Sequence, residues 1–218
     1  MTDRAPARGT DGGARRCVLV VACGALVREV RAVLAQLPDL DVDVEYLPAN
    51  LHNRPEKIAG AVREKIREHR KDYEAIFVAY GDCGTGGLLD AALAARDVPR
   101  LAGAHCYEFL SGAAVFDALQ EAEPGTFYLT DFLLRHFDRL VIQALGIDRH
   151  PELQPVYFGN YRRLVYLAQS PKPGAQAEAQ KVADRLGLEL VVRQTGYGGL
   201  GASLAGFAGR PWIPAWPA

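Results

Sequence analysis

The chain has 218 residues, 49% of them hydrophobic, and a formal net charge of -1. That length and apolar content allow a sizeable core in one domain or a lobed pair, while a charge so near zero gives no electrostatic reason to expect nucleic acid or an anionic membrane as partner. No apolar run approaches the ~18 residues that span a bilayer, and four cysteines in a chain of this size point to metal or thiol chemistry rather than to a disulfide framework.

Residues 1–16 carry Arg4, Arg8, Arg15 and Arg16 among Gly, Ala and Pro and lack the apolar stretch of a secretory signal. They read as a disordered tail, and a cytoplasmic address follows. Cys17 to Ala22 is a continuous apolar run of strand length, as expected for a strand covered on both faces. Leu26, Val30, Val33, Leu34 and Leu37 then fall at helical spacing, and Pro38 ends that helix. Val42, Val44 and Tyr46 alternate with Asp43 and Glu45, which predicts a second strand nearer an edge.

Pro55 suits the first turn of a helix running to about His69, with Ile58, Val62 and Ile66 on one stripe. Ile76 to Ala79 predicts a third strand, Leu88 to Arg96 a helix, Arg100 to Ala104 a fourth strand and Tyr107 to Glu121 another helix. Further on, Phe127 to Leu129 reads as a short strand and Thr130-Asp131 as the start of a helix to about Leu145. Leu164 to Ala168 and Leu188 to Arg193 read as strands on either side of a helix over Ala175 to Leu186. Strands alternating with helices predict an α/β fold, a mostly parallel sheet with helices on both faces. The expected organisation is one domain over 17–206, as a single body or two similar lobes, followed by an irregular tail over 207–218.

The chemistry concentrates at strand ends. Tyr80-Gly81-Asp82-Cys83-Gly84-Thr85-Gly86-Gly87 follows the third strand and opens a helix, an arrangement that gathers backbone N–H groups around one point. A tight connection with a buried thiol is the plainer alternative. The pattern recurs at Cys23-Gly24 after the first strand and at His105-Cys106 after the fourth. In an open α/β sheet the carboxyl ends of parallel strands lie along one edge, where ligands bind, so Cys23, Cys83 and Cys106 can converge there. Three thiolates suffice for zinc with a free position or for an iron-sulfur cluster with one non-cysteine corner.

Around them, Gly24, Gly81, Gly84, Thr85 and Gly86 are expected to let a ligand approach the backbone. His105 is a candidate ligand or base, and Asp82 and Glu108 are candidates for acid/base work, against the plainer role of carboxylates at helix N-termini. His52 and Arg54 follow the second strand onto the same edge, where Arg54 suits a substrate carboxylate or phosphate. His150, Tyr161 and Arg162 are candidates for a pocket wall, and Cys17, at the opposite end of the first strand from Cys23, reads as core.

Ala22-Cys23-Gly24-Ala25, Leu51-His52-Asn53-Arg54-Pro55-Glu56, the octet from Tyr80 to Gly87, His105-Cys106-Tyr107-Glu108-Phe109 and Glu123-Pro124-Gly125-Thr126-Phe127-Tyr128-Leu129-Thr130 together resemble an uncharacterised bacterial and archaeal family known as a domain of unknown function. Its members often accompany corrinoid-dependent methyltransferases and their activators. The likeness spans about Cys17 to Leu200, although related branches read His-Asp-Cys at the third motif rather than His-Cys. The resemblance implies a place in one-carbon or methylamine-type metabolism with a corrinoid protein or methyltransferase as partner, and it carries no established reaction.

The leading expectation is therefore a protein holding iron-sulfur or zinc on Cys23, Cys83 and Cys106 and acting on a small molecule. The alternatives are an enzyme with Cys83 as a metal-free nucleophile and His105 as its base, and a non-enzymatic metal or cofactor carrier.

Overall fold

The computed structural model of the chain describes residues 2–3, 17–38, 40–170, 172–207 and 209. The tails expected over 1–16 and 207–218 lie outside these, apart from Thr2–Asp3, Phe207 and Gly209, and so does the side chain of Cys17. The chain forms two compact units, one from the described residues of Met1–Phe109 and Gly199–Ile213, the other from those of Leu110–Gly198. The fold is α/β, as the alternation predicts, with the strands divided between two sheets.

In the first unit, β1 (Thr2–Asp3), β2 (Cys17–Cys23), β3 (Asp41–Leu47) and β4 (Ala75–Ala79) lie in the order β1-β3-β2-β4. β2 runs parallel to both β3 and β4, from Val18 opposite Val42 and Ala75 up to Ala22 opposite Tyr46 and Ala79. The two-residue β1 pairs antiparallel on the outside of β3. Val18 to Ala22 are at most 2% exposed, which is why this strand reads as an uninterrupted apolar run rather than an alternating one. The chain leaves β2 through helix α1 (Val27–Leu34) to β3 on one side, then crosses through α2 (Ile58–His69) to β4 on the other. Strand order therefore reverses at β2, and the loops after β2 and β4 flank the crevice that such a reversal opens.

α2 buries Ile58, Val62 and Ile66, one row at i, i+4 and i+8. A 3-10 turn at Pro55–Lys57 precedes it. α3 (Leu88–Ala94) buries Leu89 and Leu93.

The expected fourth strand does not form. Only Arg100 bridges to the sheet, parallel to Val78, through Val78 N–H to the Pro99 carbonyl and Leu101 N–H to the Val78 carbonyl, each 3.0 Å. Beyond it the chain turns away at Gly103, whose φ is +103°. The expected helix from Tyr107 to Glu121 is two, α4 (Cys106–Ser111) and α5 (Ala113–Ala122), separated at Gly112.

In the second unit β5 (Thr126–Thr130), β6 (Arg163–Ala168) and β7 (Glu189–Gln194) are all parallel in that order. Leu129, Leu164 and Tyr166 from the sheet pack with Phe158 of α7 (Leu153–Phe158) and with Ala179, Ala183 and Leu186 of α8 (Ala175–Leu186). The helix expected over Asp131 to Leu145 is a short α6 (Asp131–Arg135, counted before α7) followed by a π-helical turn at Asp138–Gln143.

The buried Asp131 at the end of β5 is fully engaged. Its carboxylate accepts from the Tyr166 hydroxyl at 2.6 Å, from the Ser170 hydroxyl at 2.7 Å and from the backbone N–H groups of Ser170 and Gln169 at 3.1 and 3.3 Å. α9 (Gly198–Phe207) carries the chain back to the first unit, where Phe207 packs 5.0 Å from Phe77 between ring centroids.

Candidate functional site

Every sulfur-bearing loop of the site belongs to the first unit, and each is tied to its neighbour through the backbone. β2 ends at Cys23, and Gly24 begins a 3-10 turn. A Cβ at Gly24 would lie 2.8 Å from the Leu47 carbonyl oxygen, so the loop after β2 can press against the end of β3 only with glycine there. After β3 a second 3-10 turn, Ala49–Asn53, brings His52 back over Cys23. Nδ1 of His52 stands 3.0 Å from the Ala49 carbonyl oxygen and 3.9 Å from Cys23 Sγ.

The octet after β4 forms the next wall. Cys83 has φ +52°, one of two non-glycine residues in the left-handed region among the described residues. A side chain pays of order 1–2 kcal/mol to sit there, which makes Cys83 a position held in place by its surroundings. Asp82 does much of the holding: its carboxylate accepts from Thr85 Oγ1, from Gly86 N–H at 3.1 Å and from Gly87 N–H at 2.9 Å. These bonds hold its carboxyl below the usual aspartate value, the Thr85 bond contributing most. Thr85 is buried and also accepts from Leu89 N–H. Asp82, Thr85 and Gly86 are thus engaged with one another in shaping the turn.

The third loop is sewn to the second. Asp82 N–H donates to the Gly103 carbonyl at 3.0 Å and Cys83 N–H to the Ala104 carbonyl at 2.8 Å. A Cβ at Gly81 would meet Gly103 O and His105 C at 3.2 Å, so this approach favours glycine. The two bonds put His105 and Cys106 beside Cys83 without any strand. Arg100 braces the same loop from below, donating to the carbonyls of Leu101 at 2.6 Å and Gly103 at 3.2 Å while its guanidinium grips Asp90 with two bonds of 2.5 and 2.8 Å. Glu108 adds a reach-back bond to Ala104 N–H at 2.7 Å.

Burial is the leading influence on all three thiols. Burial pushes the Cys23 thiol up to about 12; the Ala25 N–H, 3.3 Å from its sulfur, opposes the shift and the charge of Cys83 adds to it. Burial likewise raises Cys83, against N–H groups of Gly81 and Cys106 that favour its thiolate. Cys106, a half-buried residue, is raised well above the ordinary value by burial and then by Cys83 and Cys23 together. The charge of Cys83 thus acts on both Cys23 and Cys106.

Tyr80 closes the floor. It is 0% exposed, and its hydroxyl has no completed hydrogen bond. Burial raises its pKa first and the charge of Cys23 next. An unsatisfied buried hydroxyl costs about 1–3 kcal/mol. Its ring stacks on His52, centroids 6.1 Å apart and planes 13° from parallel. Burial lowers the His52 pKa, against the Ala49 bond and aided by the charge of His105.

The structure brings Cys23, Cys83, Cys106, His52 and His105 to one edge. His105 is exposed, its ring 6.3 Å from that of Tyr107, and among the described residues no hydrogen bond joins it to a cysteine. Arg54 is exposed in the turn after His52. His150, Tyr161 and Arg162 lie in the second unit, where Tyr161 packs edge-on to Phe127 at 5.8 Å. Tyr80 and Arg100 are the site residues that sequence reasoning did not single out. An aromatic next to an apolar strand reads as core, and only the orphaned hydroxyl distinguishes it.

Thiols are the donors that zinc and iron-sulfur groups take. Three sulfurs with backbone N–H donors need a cation to ionise in so dry a place, and the Tyr80 hydroxyl needs an acceptor. Among the described residues, however, no three His, Cys, Asp or Glu side chains stand grouped to hold one ion.

The family described as "Protein of unknown function (DUF1638)" matches residues 46–204. The chain belongs to this family. The DUF1638 span begins at Tyr46, later than the Cys17 expected from the motifs, so it includes His52, Cys83 and Cys106 while Cys23 precedes it. No curated protein matches the chain. Among solved structures it is similar to the ornithine carbamoyltransferase from Pyrococcus furiosus at 15% identity and a TM-score of 0.29, over 82% of this chain and 54% of that one. The chain thus spans about half the length of that neighbour, and at this level the likeness carries nothing about function. Among the described residues no helix is long and apolar enough to cross a membrane.

Proposed function

We propose that this DUF1638 protein holds a thiolate-bound metal group on Cys23, Cys83 and Cys106. The observation that supports the reading is that burial raises all three thiols, with the charge of Cys83 acting on Cys23 and on Cys106, beside a buried hydroxyl without a partner. Ligands of a single zinc bring their sulfurs within about 4 Å of one another, given bonds of about 2.3 Å. An iron-sulfur cluster spaces its thiolate ligands more widely than a single zinc ion does. Zinc, with the loops closing on it, is the second reading.

Three cysteines leave one position for a small-molecule substrate, and a bound metal there supplies Lewis acidity or, as a cluster, electrons. The chain's own residues orient and exclude. Tyr80 keeps water from the floor, His52 and His105 stand at the open side as the groups able to take or give a proton, and Arg54 beyond them suits an anionic substrate group. Asp82 and Glu108 serve by holding the second and third loops. We further take the protein to act in the cytoplasm in corrinoid-linked methyl-group metabolism, with a corrinoid protein or methyltransferase as partner. That part rests on the resemblance in the motifs alone.

The metal-free alternative, Cys83 as nucleophile with His105 as base, is less well supported, because burial raises the Cys83 thiol and no hydrogen bond links the pair. Anaerobic purification of the full chain, followed by iron, zinc and acid-labile sulfide analysis and an absorption spectrum, separates the readings. Iron and sulfide with charge-transfer absorption support the cluster, and zinc alone supports the second reading. A metal-free chain whose Cys83 is the fastest thiol to alkylate overturns both.

A further inference from the structure

The two ends of the sheet in the second unit are finished differently. At one end β5 is covered, every residue but Phe127 being buried. At the other end β7 has no buried residue and, among the described residues, no strand beyond it. A free strand edge presents a row of N–H and C=O groups ready to pair with another chain, and proteins usually blunt it with lysine, proline, a bulge or a very short strand. β7 is Glu189-Leu190-Val191-Val192-Arg193-Gln194, six residues in unbroken register with β6. It carries none of those devices.

The ladder with β6 decides which backbone groups face outward. Glu189 N–H donates to the Arg162 carbonyl at 3.2 Å and Thr195 N–H to the Ala168 carbonyl at 3.0 Å. Along a strand the residues that bond to a given neighbour alternate, so Glu189, Val191, Arg193 and Thr195 are turned to β6. The N–H and C=O groups of Leu190, Val192 and Gln194 are turned to the open edge, where the Val192 carbonyl accepts from Arg193 Nη1 at 3.3 Å, a bond from the adjacent side chain rather than from a strand. Side chains alternate as well. Leu190 and Val192 pack on the core that contains α8, which puts Glu189, Val191 and Arg193 on the other face.

We propose that β7 pairs antiparallel with β7 of a second copy of this chain across a two-fold axis, making one continuous sheet with three strands from each copy. In an antiparallel pair a residue that offers its bonds must lie opposite another that does so, and the axis therefore passes at a residue and not between two. With the axis at Val191, Leu190 lies opposite Val192 of the second copy and the two exchange both backbone bonds. Val191 then faces its own counterpart, and Glu189 faces Arg193 twice, once on each side of the axis. With the axis at Val192, Glu189 would face Thr195 and Arg193 would face Val191. Opposite charges across a strand pair stabilise it and like charges oppose it, so the charges select Val191. The strand is charge-complementary to itself read in reverse, which is why the fitting occupant is a second copy.

Sedimentation equilibrium of the full chain over a range of concentrations tests this, with wild type, Glu189→Arg, Arg193→Glu and the double reversal. Both positions are exposed, so the variants are expected to keep the wild-type fold, which far-UV circular dichroism verifies. The expected result is a concentration-dependent dimer for wild type and a Kd weaker by at least about tenfold in each single reversal, where like charges meet at both pairs. The double reversal recovers the dimer, and a mixture of the two single variants forms a heterodimer, because an edge with two arginines then meets an edge with two glutamates. A wild type that stays monomeric, or a dimer that both single reversals leave unweakened, overturns the proposal. So does a double reversal that binds no more tightly than the single ones.

Discussion

The carboxylate of Glu108 accepts a 2.7 Å hydrogen bond from the backbone N–H of Ala104, reaching back across the start of α4 to the loop that carries His105 and Cys106. The bond reaches one residue beyond the N-cap position that a capping box closes, and it gives Glu108 the structural task that the sequence offered beside acid/base work. Glu108→Ala is expected to lower stability by about 1 kcal/mol, while Glu108→Gln, which keeps an acceptor, loses less. Urea midpoints of the two variants check the order.

Arg100 links Asp90 of α3 to the third loop, and the ion pair makes the link pH-dependent. The Arg100 hydrogen bond holds the Asp90 carboxyl below its ordinary value of 3.8. A depressed carboxyl stabilises the folded chain fully above that ordinary value and stops doing so as the pH falls through the lower, folded value. Wild type is therefore expected to exceed Asp90→Asn in stability at neutral pH, and the gap to shrink progressively below pH ~4. Denaturant midpoints of both proteins across that range provide the check.

At Cys83 the backbone angle reverses the usual order of residue preference. With φ at +52°, Cys83→Gly is expected to be more stable than Cys83→Ala by about 1 kcal/mol, since only glycine escapes the left-handed penalty. In a helix or strand the order is the opposite. Paired equilibrium unfolding curves decide it, and an alanine variant as stable as the glycine one would remove the claim that Cys83 is held against its preference.

Asp131 belongs to the second unit, and four donors depend on it. Asp131→Ala strands the Tyr166 hydroxyl and two backbone N–H groups in a buried place, with an expected loss of about 3 kcal/mol. Metal content per folded chain is expected to stay at the wild-type level. Calorimetry together with metal analysis of the soluble fraction measures both.

Much of this was legible in the residues. β2 and β4 are covered on both faces, so their apolar runs announced strands, and the row Ile58, Val62, Ile66 announced α2. The alternative of two similar lobes was read from the sequence and the structure has it, but the assignment of strands to two sheets was not legible, because strands of equal apolarity do not say which neighbour each will pair with. The stretch Arg100 to Ala104 has strand composition, yet only Arg100 bridges to the sheet, and the turn at Gly103 takes the rest away. His105 and Cys106 nevertheless arrive beside Cys83, carried by the backbone bonds of Asp82 and Cys83 rather than by a strand end. The cysteines were readable from their positions after apolar runs. Tyr80 was not, since nothing in a sequence reveals that a buried hydroxyl lacks a partner.

The metal content of single cysteine variants tests the central claim most directly. Cys23→Ser, Cys83→Ser and Cys106→Ser are compared with wild type and with Cys17→Ser, at the far end of β2 from Cys23, all purified anaerobically. The account predicts bound metal with sulfur charge-transfer absorption in wild type and Cys17→Ser, and a marked loss of both in each of the other three. Equal metal in all five proteins, or none in any, would contradict it.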